Sequence, residues 1–332
     1  MTITSSEPVA KPVRVRRTLW LVLLWLLVLP GVAWVALRLA GAERGPLVPL
    51  FAFTPYVAAW SVVPVLLALA TRRWLVAAVA AITATLFVVT VLPRALTDND
   101  RGPQTGVTIH VMTQNMLFGN ADAAQIVQDV RDHDVSVLAL QEFSPQAVSN
   151  LEKAGLGRLL PYSSLGAEWG ASGSGLYSRF PLTAAGVERN GAGFNQAHGT
   201  IQPAGAGPVV IESAHPAAPS ALSVLDDWFS DLAAEPRADA RGPARILLGD
   251  FNSTLDHQPL RKLINSGYRD AAAVTGKGLI GTWGPYDGDP IPPVTIDHVL
   301  VDKRLGVADV SVHTTRNSDH RAVIAEVVLP VS

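Results

Sequence analysis

Residues 245–254 read RILLGDFNST, an apolar run that stops on Asp250 and Asn252. The run at 245–248 predicts a strand. A carboxylate at the end of such a strand is a costly arrangement for packing alone. A buried, unpaired charge is strongly unfavourable, so the group needs a metal, a partner or water. The same arrangement recurs on either side. Asn115 follows the alternating run 107–113 in MTQNMLFGN, Glu142 follows 135–140 in LALQEF, and His215 follows 209–213 in ESAHPAAPS. Asp297 and His298 lie in TIDHVLV within a strand expected at 295–301, and Asp319 and His320 lie in NSDHRAV ahead of one at 322–328. Further strands are expected at 175–178, 199–202 and 307–312, with helices at 121–132, 145–154 and 221–233. Short strands interleaved with helices predict an α/β sandwich over residues 107–332, large enough for one core.

Several strand ends bearing carboxylates, amides and imidazoles can build one oxygen-rich site. Hard oxygen donors suit Mg²⁺, Mn²⁺ or Ca²⁺ rather than zinc. The chain has no cysteine and no HExxH. That rules out a disulfide scaffold, an iron–sulfur site, a Cys-ligated zinc and a cysteine nucleophile, and it disfavours a standard zinc hydrolase.

In order along the chain stand QN, QE, GLYSRFPL, a strand ending in His, GDFN, GTW, IDHVLV and SDHRAV. With these motifs the chain resembles the endonuclease/exonuclease/phosphatase superfamily, which holds deoxyribonucleases, abasic-site endonucleases, neutral sphingomyelinases and inositol polyphosphate phosphatases. The resemblance runs from about 107 to 328. It implies a four-layered α/β sandwich of two mostly antiparallel sheets flanked by helices. It also implies roles. Glu142 matches the metal-binding glutamate, Asn115 the asparagine that supports the metal and its waters, and Asp319 a second metal-side aspartate. Asp250 and Asn252 match the pair that orients the nucleophile and contacts the scissile phosphate. His320 matches the base or electrostatic partner of the phosphate, with Asp297 orienting it. His215 resembles the histidine of the deoxyribonuclease and sphingomyelinase branches. A looser match places Tyr177 and Arg179 along the substrate. Thr282 and Trp283 are expected to pack beneath the site, and His298, on the opposite strand face from Asp297, to be structural. His110, His133, His257 and His313 read as solvated or core residues. Trp169, in a Gly-rich loop, reads as a packed loop anchor, with a substrate or membrane contact as the alternative.

The chain is 48% hydrophobic with a net charge of −2, but these averages hide a split. Residues 1–97 hold nine Lys/Arg against two Asp/Glu, and residues 98–332 hold 17 against 26. Three apolar runs at 18–40, 47–70 and 75–93 are each long enough to cross a bilayer. They predict a basic cytoplasmic tail (1–17), a three-helix membrane anchor (18–93), a linker (94–106) and a catalytic domain (107–332). Positive charges in the tail and at Arg72 and Arg73 place the N-terminus inside and, after three crossings, the catalytic domain outside.

The chemistry implied is Mg²⁺-dependent hydrolysis of a phosphodiester by in-line attack of water, with Mn²⁺ or Ca²⁺ as alternatives. A divalent ion offsets the charge of the phosphate, and an imidazole can move a proton near neutral pH. The acidic domain lacks the basic array that grips duplex DNA. Nucleic acid, a lipid headgroup and a phosphomonoester stay open as substrates.

Overall fold

A computed structural model of the chain describes residues 12–284 and 290–331. Of these, 12–42 and 54–91 form one compact unit, and 43–53, 92–284 and 290–331 form another.

In the first unit, α1 (Pro12–Ala40), α4 (Val62–Ala70) and α5 (Trp74–Val91) pack through Leu24, Val28, Ala68, Val76, Ala77 and Ala80, and α3 (Thr54–Trp60) lies against α4 and α5. Small alanines let the helix backbones approach closely. Leu19, Trp20, Leu26, Trp60, Leu66, Ile82 and Val89 point outward, an apolar surface suited to lipid. Among the described residues two helical stretches, Arg17–Ala40 and Trp74–Ala95, are long and apolar enough to cross a membrane. The expected span at 47–70 is not one helix. Its first turn and a half, α2 (Leu47–Phe51), belongs to the other unit. The remainder, Thr54–Ala70, breaks at Ser61. Pro55 and Pro64 each lack the N–H a continuous helix would use. At about 1.5 Å per residue this remainder reaches roughly 25 Å, short of the ~30 Å hydrocarbon core.

The second unit is a sandwich of two six-stranded mixed sheets. In chain order the strands are β1 (Val107–Asn115), β2 (Val135–Gln141), β3 (Tyr162–Gly166), β4 (Ser174–Ser178), β5 (Thr183–Arg189), β6 (Asn195–Ile201), β7 (Val209–Ala214), β8 (Ala244–Asp250), β9 (Tyr268–Asp270), β10 (Asp297–Asp302), β11 (Gly306–Thr314) and β12 (Arg321–Leu329). One sheet has the order β11-β12-β1-β2-β4-β3 and the other β5-β6-β7-β8-β10-β9. Among the described residues only β1–β2 and β7–β8 pair in parallel, each at the centre of its sheet.

Side-chain alternation makes the layers. Ile246 and Leu248 of β8, Val299 and Val301 of β10, and Ile109 and Val111 of β1 fill the space between the sheets. Their neighbours Leu247 and Leu300 point outward onto α9 (Leu225–Ala234) and α10 (Gln258–Asn265). Met112, Leu138 and Leu140 point onto α6 (Ala123–Asp132) and α7 (Pro145–Ala154). Burial on both faces explains why β2 and β8 read as continuous apolar runs rather than as alternating ones. The two short helices α8 (Leu156–Leu159) and α11 (Ala271–Val274) complete the layers.

Residues 94–106, expected as a linker, lie along this unit instead. The Arg94 guanidinium is buried against Asp256, Arg269 pairs with Asp100 at 2.7 Å, and the Val307 N–H donates to the Arg101 carbonyl at 2.8 Å. Val48 from the 43–53 segment is fully buried with Trp228 and Leu260.

Candidate active site

Because β1 and β2 run parallel, and β7 and β8 likewise, their C-terminal ends fall at the same end of each sheet. That end receives Asn115, Glu142, His215 and Asp250. Asp297, opposite Asp250 in the antiparallel β8–β10 register, arrives at the same place from the start of β10. Asp319 and His320 come from the turn before β12.

The residues form one connected set. The Asn115 side-chain amide donates to Glu142 Oε1 at 3.1 Å and to Asp250 Oδ2 at 3.0 Å. Glu142 Oε2 accepts from the Phe118 backbone N–H at 2.8 Å. Asp250 Oδ1 accepts from the Asn252 N–H at 2.8 Å, and Asn252 Nδ2 donates to the Pro216 carbonyl at 3.0 Å. His320 Nδ1 lies 2.9 Å from Asp297 Oδ2. The Nε2 atoms of His320 and His215 lie 3.7 Å and 3.8 Å from the same oxygen, Asp250 Oδ2. Glu142 and Asn252 both adopt left-handed backbone, at φ 52° and 47°. Such a conformation is uncommon for a glutamate and persists where surroundings over-determine it, whereas an asparagine adopts it more readily.

Supporting groups fix these side chains. Thr282 Oγ1 accepts from the backbone N–H groups of Ile296 and Asp297. Trp283 Nε1 donates to Asp319 Oδ2 at 2.9 Å, and the GTW backbone bridges onto Asp319–Arg321. Both residues thus sit directly behind the site. Ser318 was not singled out from the sequence, although it lies inside SDHRAV. Its hydroxyl donates to the Asn115 carbonyl and accepts from the His320 N–H, joining β1 to the β12 turn. Trp228 also carried no sequence signal beyond its apolarity, yet its indole N–H donates to the Asn252 carbonyl at 3.0 Å.

Electrostatics separates the two imidazoles. Burial, helped by nearby His320, pushes His215 down to about 3, so it is neutral at physiological pH. Burial also works against charge on His320, but Asp297 and Asp250 outweigh it and raise the group to about 10. Burial pushes Asp250 up to about 7 and Glu142 above the usual carboxylate range, against the opposing pull of His320 and Asn115 respectively. A cation held by these carboxylates would compete for the same negative charge and draw His320 back toward neutral pH.

The residues present suit a divalent ion. The ligand atoms of Asp250, Asp297 and His320 lie within 4.8 Å of one another. Asp319 Oδ1 is buried with no hydrogen-bond partner. Glu142 and Asn115 adjoin Asp250 as further hard oxygen donors, and Asp319 Oδ1 lies 4.0 Å from His320 Nε2.

Two residues expected along the substrate are elsewhere. Tyr177 is buried in the outer core, edge-on to Phe143. Arg179 pairs with Asp134 and the Val135 carbonyl, at the start of β2 rather than its end. The cause is direction: β4 runs antiparallel to β2, so the residues following it are carried away from Glu142. His298 is structural, held between Asp270 and the Ser253 carbonyl. Trp169 is no packed anchor, being 72% exposed.

The fold and cluster define a phosphoester-cleaving hydrolase class that depends on divalent metal. Residues 112–320 match the Endonuclease/Exonuclease/phosphatase family, and the chain belongs to it. Its fold is similar to that of a family protein from Bacteroides thetaiotaomicron (TM-score 0.52, 17% identity, covering 68% of this chain and 100% of that one). It is also similar to humanized D. rerio TDP2 (TM-score 0.53, 14% identity, covering 66% and 98%). A third similar structure is a Bacteroides thetaiotaomicron mannosyl-6-phosphatase (TM-score 0.50, 18% identity, covering 67% and 100%). No curated protein matches the chain.

Proposed function

We propose that the chain is a membrane-attached, Mg²⁺-dependent phosphodiesterase. The observation that carries this reading is the convergence of His215 and His320 on one oxygen of Asp250, with Asp297 behind one of them. Two imidazoles on one side-chain acid, one neutral and one protonated, are equipped to hold a proton acceptor and a proton donor on a phosphate between them. Glu142, Asn115 and Asp319 would hold the ion, which supplies charge compensation for the phosphate when bound. Asp250 and Asn252 orient the attacking water and the phosphate oxygens. Asp297 fixes the His320 tautomer and stabilises its imidazolium. The bilayer attachment runs through α1 and α5, with the 54–70 helices packed beside them.

Full-length protein in detergent micelles or nanodiscs should hydrolyse bis-p-nitrophenyl phosphate with Mg²⁺. Asp250→Ala and His320→Ala should abolish that turnover. Absence of cleavage with Mg²⁺, Mn²⁺ and Ca²⁺ alike would overturn the reading.

A lipid phosphoester is the second reading, favoured by one observation. Trp169, Leu222 and Phe118 are 72%, 65% and 52% exposed, and they follow β3, β7 and β1, whose C-terminal ends lie at the site's end of their sheets. A phosphomonoester, the kind of substrate that the similar mannosyl-6-phosphatase is named for, is the outcome if p-nitrophenyl phosphate is cleaved faster than the diester.

A further inference from the structure

The turn after β8 carries Asn252 in a left-handed conformation and then runs through Asp256, His257 and Gln258 into α10. The first residues of the turn are bonded to Asp250, Pro216, Trp228 and His298. It is gripped here from the two short segments that adjoin the apolar helices in sequence. Arg94, three residues after α5, makes a two-pronged bond to Asp256, Nη1 to Oδ2 at 2.7 Å and Nη2 to Oδ1 at 2.6 Å. Asp256 is wholly buried and Arg94 nearly so. The Arg94 carbonyl accepts from the Gly278 N–H at 2.9 Å, in the segment that leads to Thr282 and Trp283. From the 43–53 segment, Glu43 Oε1 accepts the Gln258 N–H, and the Val48 carbonyl lies 2.8 Å from His257 Nε2. With Nε2 donating, His257 Nδ1 accepts the Thr254 N–H at 2.9 Å, which closes the turn.

We propose that Arg94 and Glu43 are positioning residues for the catalytic turn, so that the segments flanking the apolar helices set the geometry of Asn252 and Asp250. The inference rests on the phosphodiesterase reading for its effect on rate, and on the hydrogen bonds alone for its effect on the turn. A bidentate guanidinium–carboxylate fork fixes both distance and orientation, which a single contact does not. Displacing a reacting group by about 1 Å is enough to lose ~10²-fold in rate.

The test uses the full chain in nanodiscs and two readouts. Arg94→Met and Asp256→Asn each strand a buried charge and can unfold the unit. The double variant Arg94→Met/Asp256→Met removes both charges of the pair together, and a circular dichroism melt establishes that it folds. In that variant amide hydrogen exchange across 250–258 should quicken at least tenfold while β1 and β12 keep wild-type protection. The kcat for bis-p-nitrophenyl phosphate should drop at least tenfold with KM changed less than twofold. Glu43→Ala should quicken exchange at Gln258, and Glu43→Gln, which keeps the acceptor oxygen, should restore it. Wild-type exchange in the turn of the folded double variant would overturn the proposal, as would quickened exchange with unchanged kcat. If wild-type protein cleaves no diester, the phosphodiesterase reading fails on that count, and exchange still decides the role of Arg94 and Glu43 in holding the turn.

Discussion

Asp297 presents both carboxylate oxygens to His320 Nδ1, at 2.9 Å and 3.1 Å, which leaves Nε2 as the only ring nitrogen turned toward Asp250. The imidazole therefore has one orientation and one tautomer when neutral. The Thr282 hydroxyl in turn accepts the Asp297 backbone N–H. Asp297→Asn keeps the shape and removes the charge. We expect kcat to fall by about 10²–10⁴-fold with a smaller change in KM, as steady-state kinetics on a soluble diester would show. Nearly unchanged kcat would mean that His320 needs no carboxylate behind it.

Glu142 is held by the Asn115 amide and the Phe118 N–H, so its carboxylate is aimed before any ion arrives. Glu142→Gln removes a hard anionic donor while leaving an oxygen in place. The Mg²⁺ concentration for half-maximal activity should rise by about 10–100-fold. Calorimetric titration of Mg²⁺ should show the same weakening. An unchanged Mg²⁺ requirement would move the ion away from this end of β2.

His298 offers a pH test outside the site's reacting groups. Burial alone would lower its proton affinity, but the Asp270 carboxylate at 2.6 Å and the Ser253 carbonyl outweigh burial and hold it above its ordinary value. A base whose folded pKa is raised stabilises the fold fully below its unfolded pKa, about 6.5, and loses that contribution as pH climbs through the folded value. The denaturation midpoint of wild type should therefore drop from about pH 6 to pH 9 by more than that of His298→Gln. Parallel curves for the two proteins would show that the pair is not charged.

Trp169 and Leu222 bear on substrate. Replacing both by Ser removes exposed apolar surface and touches no group in the hydrogen-bonded cluster. Cleavage of bis-p-nitrophenyl phosphate should stay within about twofold, in line with the small effects of exposed substitutions. If the substrate is a lipid phosphoester, turnover of phospholipid vesicles should fall at least tenfold. Equal losses on both substrates, or none on vesicles, would favour a water-soluble diester.

The strands that form the inner parts of both sheets were legible, β2 and β8 as apolar runs buried on two faces and β1 by its alternation. Those that escaped, Tyr162–Gly166, Thr183–Arg189 and Tyr268–Asp270, are all sheet edges. An edge strand pairs on one side only and carries polar or short segments, so its sequence signal is weak. The site cluster was legible because its residues interrupt apolar strands at their ends. Tyr177 and Arg179 were misplaced because motif order does not say which way an antiparallel neighbour carries its flanking residues. The run at 47–70 misled for another reason. Hydropathy is the same for a side chain facing lipid and for Val48 or Phe51 packed inside protein, and only the break after Phe51 separates the two.

The Arg94–Asp256 bond joins residues 162 positions apart, and the Glu43–Gln258 bond spans 215. At ribosomal speeds of about 5–20 residues per second, Arg94 leaves the ribosome roughly 8–30 s before its partner exists. Through that interval its guanidinium must stay hydrated, since a dry site without the carboxylate would be strongly unfavourable. The order of synthesis thus keeps the earliest segments undocked until residues 256–258 have been made. A nascent chain halted anywhere before Gln258 carries an open catalytic turn and an exposed Val48, two features by which quality-control proteases could tell an unfinished molecule from a finished one.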